Sequence, residues 1–306
     1  MKMLSLFSLA LLLAAFPLMA FSQAGQSGLA FLKLGTSGRG IGMADAMAAA
    51  VDGAASTYYN PAGLAGPESS QKTEIIFTHR EWIEDTRVEY LAGRIPLGTD
   101  DAIGVAFNST TVGNIEIRTG PGEAAGNFTA RNFSGGLSYG RRVTENVTIG
   151  GSVKYLYEKI LVDEASGFGV DIGARVQTPV ENLAVGAAIV NLGRMNSLRN
   201  EGTKLPSQLR IGPAYSFSFD EGTYGGVVAA DFLRVLPDKK NFVNCGGEFV
   251  FSKLIAVRTG YQFGSEGRGF TAGFGVQYGM AGIQYAYAKL SDDLGDAHAI
   301  SLLLSL

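Results

Sequence analysis

Arg175, Arg210 and Arg258 are the residues with the clearest capacity for binding chemistry. Each stands on the glycine-rich, polar side of a stretch whose other side is apolar. An arginine fork grips a carboxylate through two parallel hydrogen bonds, so three of them on one inner surface would suit an acidic headgroup or a carboxylate. The same faces carry Lys154, Glu158, Asp171, Asp231 and Glu248. Mixed signs at that spacing suit salt bridges and hydrogen bonds to an internal segment equally well. His79 and His298 are the two histidines, and they invite a dyad with Glu81 or Asp296. No serine lies in a nucleophile context, so an enzyme is not expected. Gly38–Gly42 reads GRGIG, but no strand precedes it and no Gly-Lys-Ser/Thr follows, so it reads as flexible backbone rather than a phosphate loop. No metal-ligand spacing occurs, and no cofactor or metal is expected.

Strands must position these side chains. In 167–177 one face is Phe168, Val170, Ile172, Ala174 and Val176, and the other is Gly169, Asp171, Gly173, Arg175 and Gln177. Residues 209–220 and 255–263 repeat the split, as period-two structure with two unlike surroundings requires. Fourteen such segments are expected, at 72–79, 86–97, 101–111, 128–140, 146–159, 166–178, 182–192, 207–219, 222–233, 242–252, 254–263, 268–278, 281–289 and 297–306. Most reach the roughly 9–11 residues that a membrane-crossing strand needs, whereas strands of soluble proteins run to about five or six. Connections after even-numbered segments are short, and those after odd-numbered ones include Thr111–Asn127 and Asn191–Pro206. That asymmetry is the plan of an outer-membrane barrel with both termini periplasmic. Aromatic residues at the segment ends, such as Tyr139, Phe219 and Phe251 at one side and Phe168, Phe263 and Phe270 at the other, would form the two interfacial girdles.

Residues 1–22 carry Lys2, an apolar run from Leu4 to Met19 and small residues Ala20 and Ser22, the form of a secretory signal cleaved before Gln23. With 25 basic and 28 acidic side chains the net charge is −3, which implies no basic face for nucleic acid. Fourteen strands leave a lumen too wide for wall side chains to fill, so it needs a plug. Residues 23–70, rich in small residues, are expected to supply that hatch, and 71–306 the transmembrane barrel. Within the hatch, Met43, Met47 and Val51 recur every four residues as one face of a short helix would. Asn60-Pro61-Ala62-Gly63 then reads as a turn.

The stretch Ala54–Ala65, with Asn60, Pro61, Ala62 and Gly63 at its centre, resembles the N-terminal hatch of FadL-like outer-membrane proteins. Phe31-Leu32-Lys33-Leu34-Gly35, Asn191-Leu192-Gly193 with Leu205-Pro206, Arg258-Thr259-Gly260-Tyr261 and His298-Ala299-Ile300-Ser301 resemble, in that order, the PorV/PorQ family. The resemblance implies an all-β transmembrane antiparallel barrel of about 14 strands with a hatch in its lumen, in a Gram-negative-type cell outer membrane. It implies partners among outer-membrane lipid and secreted proteins with C-terminal sorting domains, shuttled in type IX-like secretion. The FadL relatives imply instead passive transport of a hydrophobic small molecule.

Overall fold

The alternating stretches become a single antiparallel ladder, because a strand with one apolar face needs neighbours to pair its backbone on both edges. In chain order the strands are β1 (Glu74–Glu81), β2 (Thr86–Pro96), β3 (Asp101–Ile117), β4 (Gly126–Thr144), β5 (Val147–Ile160), β6 (Asp163–Gln177) and β7 (Leu183–Leu198). They continue as β8 (Glu201–Lys204), β9 (Gln208–Phe219), β10 (Tyr224–Val235), β11 (Lys240–Phe251), β12 (Ile255–Phe263), β13 (Arg268–Tyr278), β14 (Ala281–Leu290) and β15 (Asp296–Ser305). The computed structural model describes residues 27–66, 72–118, 120–198, 201–291 and 294–306. The expected signal at 1–22 lies outside them.

Each wall strand pairs with the next, β7 pairs with β9, and β1 pairs with β15 from Glu74↔Ser305 to Glu81↔His298. β8 pairs with the far end of β7 alone, so it stands outside the ring. The result is a closed barrel of fourteen strands, one for each expected segment. Along β6 the outward Phe168, Val170, Ile172 and Val176 are exposed while Gly169, Asp171, Gly173 and Arg175 are buried. Phe168 is 70% exposed, and similar side chains surround the wall from Leu91 and Phe107 to Ile283 and Leu302. An apolar belt of that extent is the surface of a barrel seated in lipid. At the end where β1 begins and β15 finishes, here the turn end, Phe219, Tyr224 and Phe251 form an outward aromatic group with centroids 5.2 and 5.3 Å apart, as expected of a girdle.

The two long connections are not loops. β3 and β4 continue pairing to Ile117↔Gly126, and β7 turns back as β8, so most of Thr111–Asn127 and Asn191–Pro206 is β-ribbon. Beyond the rim the two chains satisfy one another's backbone groups, and Val112, Ile115 and Phe128 extend the strand-forming run. These ribbons mark the opposite, loop end.

The described part of the hatch, residues 27–66, runs through the lumen from the loop end to the turn end. Gly28 N bonds Lys204 O at the loop end, and Ala65 packs with Ala102 at the turn end. Its helix is Gly38–Gly42, capped by Ser37 Oγ, and lies earlier than the expected helix. The residues Met43, Met47 and Val51 lie in irregular backbone, with Ala44 and Asp45 left-handed at φ 53° and 60°. All three are buried, because a segment enclosed by a barrel wall has no solvent face and helical spacing confers no advantage. Wall glycines admit it: Gly42 lies 3.2 Å from where a Cβ on Gly273 would point, and a Cβ on Gly246 would sit 2.7 Å from Met43 Cβ.

Gly246→Val should therefore lower unfolding stability by about 1–3 kcal/mol through overpacking. Gly247→Val, whose added Cβ meets nothing nearer than Val228 Cγ1 at 3.7 Å, should stay within about 0.5 kcal/mol. Urea unfolding midpoints in one detergent would compare them.

Candidate functional site

The site is built where the hatch meets the wall. Ser56–Tyr59 forms one helical turn, and Pro61–Ala65 follows as a 3₁₀ turn with Pro61 at its first position, where proline's missing N–H costs nothing. Asn60 joins the two. Its Oδ1 accepts from Ala62 N at 3.1 Å, and its Nδ2 donates to Ala48 O at 2.7 Å and to Ala174 O of β6 at 3.2 Å. Asn60, Pro61, Ala62 and Gly63 are all buried, against wall positions Gly150 and Gly173. Just beyond them, Leu64 O accepts from Arg94 Nε at 2.6 Å.

Charged ties hold the rest. Glu248 accepts from Arg39 Nε of the hatch at 3.0 Å and from Arg258 Nε at 2.6 Å. Asp45 of the hatch takes Arg268 Nη1 at 2.7 Å on one oxygen and the Tyr59 hydroxyl at 2.7 Å on the other. Asp231 accepts from Ala48 N at 2.7 Å. Lys154 bridges Asp171 at 2.8 Å and Asn191 Oδ1 at 2.7 Å beside the β6–β7 bulge, where one residue faces two.

The three expected arginines all face inward and are buried, on β6, β9 and β12. Arg258 is engaged by Glu248. Arg210 donates to Gln208 at 2.9 Å and lies over the rings of Tyr58 and Tyr59, 5.3 Å from each centroid. Arg175 stands opposite Thr148 of β5 and Gly186 of β7. Arg80, Arg94 and Arg268 are further buried arginines that the sequence reading missed. Their signal was the same alternation, but Arg80 and Arg268 sit at strand ends where register is hardest to read. His79 and His298 lie on neighbouring strands of the outer wall, His79 Nδ1 bonded to Glu89 at 2.6 Å and His298 Nδ1 to the Tyr285 hydroxyl at 2.7 Å.

The loop end has a different character. Leu29, Phe31 and Leu32 of the hatch pack with Leu156, Ala165, Met195 and Leu205 in an apolar chamber under the ribbons. Tyr58 OH donates to Leu32 O at 3.0 Å, and Lys33 pairs with Asp238 at 3.2 Å. Beneath Leu32 a cavity of about 20 Å³, bounded by Tyr58, Tyr90, Asn108 and Lys154, has room for one water. At the turn end a cavity of about 290 Å³ opens beside Arg39, Glu248, Lys253 and Arg258. The hatch separates the two.

No family model and no curated protein matches the chain. Among solved structures it is similar to the CymD monoaromatic hydrocarbon channel, at 12% identity and a TM-score of 0.65 over 89% of this chain and 98% of that one. It is similar also to the Pseudomonas putida toluene transporter TodX, at 11% and 0.60 over 89% and 97%. A Pseudomonas aeruginosa FadL homologue follows at 12% and 0.50 over 88% and 97%. At these identities the likeness shows the fold alone, a closed fourteen-stranded antiparallel barrel.

Burial alone would raise the Asp45 carboxyl, but Arg268 and then Arg80 outweigh it and hold it below the usual carboxylate range. A group depressed on folding contributes fully above its unfolded value, about 3.9, and loses that contribution as pH falls through the lower folded one. The share of hatch protection from protease that Asp45 supplies, read as the difference between the wild type and Asp45→Asn, should thus hold from neutral pH to about pH 4 and shrink below it. Asn60→Ala strands two carbonyls and an amide in the lumen. It should cost about 2–4 kcal/mol in urea unfolding.

Proposed function

We propose that the chain is a passive channel for hydrophobic small molecules across a Gram-negative outer membrane, with its termini on the periplasmic side. The observation that carries this reading is the chamber at the loop end. Phe31 and Leu32, apolar side chains on a segment tied to the wall by few bonds, fill a space lined by Leu156, Met195 and Leu205 that an apolar solute of similar size would fill as well. Burying each of those two side chains is worth about 1.5–3 kcal/mol, a quantity that a competing hydrophobic ligand can supply. The likeness to CymD, a monoaromatic hydrocarbon channel, and to TodX, a toluene transporter, supports the same class of solute. Nothing in this reading requires a catalytic step.

A second reading, a PorV/PorQ-type barrel that binds exported proteins through their C-terminal sorting domains, is favoured by one observation. The β3–β4 and β7–β8 ribbons project beyond the rim as paired edges, each with one shift of register. It has no counterpart among the named neighbours, and it predicts that the ribbons rather than the chamber carry function.

The test is a disulfide. An ideal Cβ on Gly28 would lie 3.7 Å from Thr203 Cβ, within the usual span of a disulfide, so Gly28→Cys with Thr203→Cys, in a Cys245→Ala background, pins the hatch's loop-end segment to β8. Oxidised protein in liposomes should lose at least about tenfold of its toluene uptake and regain it on reduction, a change of about 1.4 kcal/mol in effective barrier. Uptake that is indifferent to oxidation contradicts the channel reading. Removing residues 113–125 should leave uptake unchanged. Loss of surface retention of a sorting-domain protein on that deletion would favour the second reading.

A further inference from the structure

Just inside the loop end, the hatch and the wall enclose more positive charge and more hydrogen-bond donors than the described residues answer. Arg80, the penultimate residue of β1, is 1% exposed, and Arg268, the first residue of β13, is 8% exposed. Arg80 Nη1 donates to Gly35 O at 3.0 Å, and Arg268 Nη1 donates to Asp45 Oδ2 at 2.7 Å. The Nε and Nη2 atoms of both arginines are buried without a hydrogen-bond partner among the described residues. Both guanidiniums lie within electrostatic reach of Asp45 and of each other. Among the described residues Asp45 is the one carboxylate between them, and its second oxygen already accepts from Tyr59. Glu81 points away, with its side chain 65% exposed.

One unit of positive charge and four donors are left over. Leaving such donors unmet costs about 1–3 kcal/mol each, more for charged groups, and an uncompensated buried charge costs more again. Arg258 and Arg210 are better answered, each with one nitrogen unmet rather than two: Arg258 shares Glu248 with Arg39, and Arg210 lies over two aromatic rings. The setting also limits what can enter. Arg80 stacks on Trp82 at 4.2 Å, and Trp82 packs against Ile41, Ala286, Ala288 and Ala297. A water supplies acceptors there but no charge; an anion supplies both.

We propose that Arg80 and Arg268, with Asp45, form a binding site for one compact monovalent anion, either a free halide or the carboxylate of a small organic acid. Bound there, the anion bridges β1, β13 and hatch residues 35–45, and so fixes the hatch in the lumen. The site is independent of which solute the barrel passes.

Trp82 is the single tryptophan of the chain and touches the site, which makes its fluorescence the readout. The full-length protein in detergent is titrated with bromide, a heavy-atom quencher, at ionic strength held constant with bulky gluconate. Saturable quenching that chloride or acetate reverses is the expected result, and whichever reverses it at the lower concentration identifies the source of the anion. Arg268→Gln should abolish the saturable part. Asp45→Asn removes the competing carboxylate, its amide oxygen still accepting from Arg268 while its NH2 donates to the Tyr59 hydroxyl, and should lower the half-saturating bromide concentration by about tenfold. Quenching that rises linearly with bromide and ignores chloride and acetate overturns the proposal, as does unchanged saturation in Arg268→Gln. Anomalous diffraction from bromide-soaked crystals of the unmodified protein reads the site without any substitution. A peak between the two guanidiniums is expected, and its absence overturns the site.

Discussion

Lipid offers no hydrogen bonds, and the rest of this structure follows from that. A sheet in hydrocarbon must pair every backbone donor and acceptor within itself, so the pairing of β1 with β15 is what makes the other thirteen neighbour pairs viable in a membrane. Closing fourteen strands creates a hollow, and the hollow must be filled or it conducts. The chain fills it with its own N-terminal segment, which carries apolar residues with small and polar ones because it meets a wall lined with glycine, serine and charge. The outward apolar belt and the inward glycines are thus two consequences of one closed ladder.

Inside the lumen the hatch is held unevenly. From Ser37 to Ala65 it is tied by capped turns, by Asn60 reaching both Ala48 and β6, and by the ion pairs of Arg39 and Asp45 with Glu248 and Arg268. From Gly28 to Lys33 it is held by apolar packing, one ladder-like bond to Lys204, the Tyr58 hydroxyl and a salt bridge to Asp238. Polar ties resist an apolar solute, whereas apolar packing is interchangeable with one. Under the proposed channel function, that contrast would give the anchoring role to the turn-end part of the hatch and the yielding role to its loop-end part.

The wall was legible in the sequence because each strand has two unlike surroundings. Residues 167–177 show a wholly apolar face against a glycine and polar one, and the strand count follows from repeating that split. The ribbons were not legible as strands, since beyond the rim both faces meet water and Thr111–Asn127 loses its alternation. The hatch helix was misplaced for the opposite reason. Met43, Met47 and Val51 are all buried, so their spacing carried no information about backbone shape, and the left-handed Ala44 and Asp45 interrupt any helix there. The asparagine–proline turn was legible because its backbone chemistry is local. Which arginines share a partner was not, because that depends on strand stagger and on where the hatch sits.

The central claim is that residues 29–34 occupy the place of an apolar solute while the remainder of the hatch stays anchored. Hydrogen–deuterium exchange of the protein in lipid nanodiscs, with and without saturating toluene, tests it most directly. Faster exchange confined to residues 29–34, with 37–65 unchanged, is the predicted result. Equal protection of 29–34 in both samples, or a response confined to the ribbons, would contradict it.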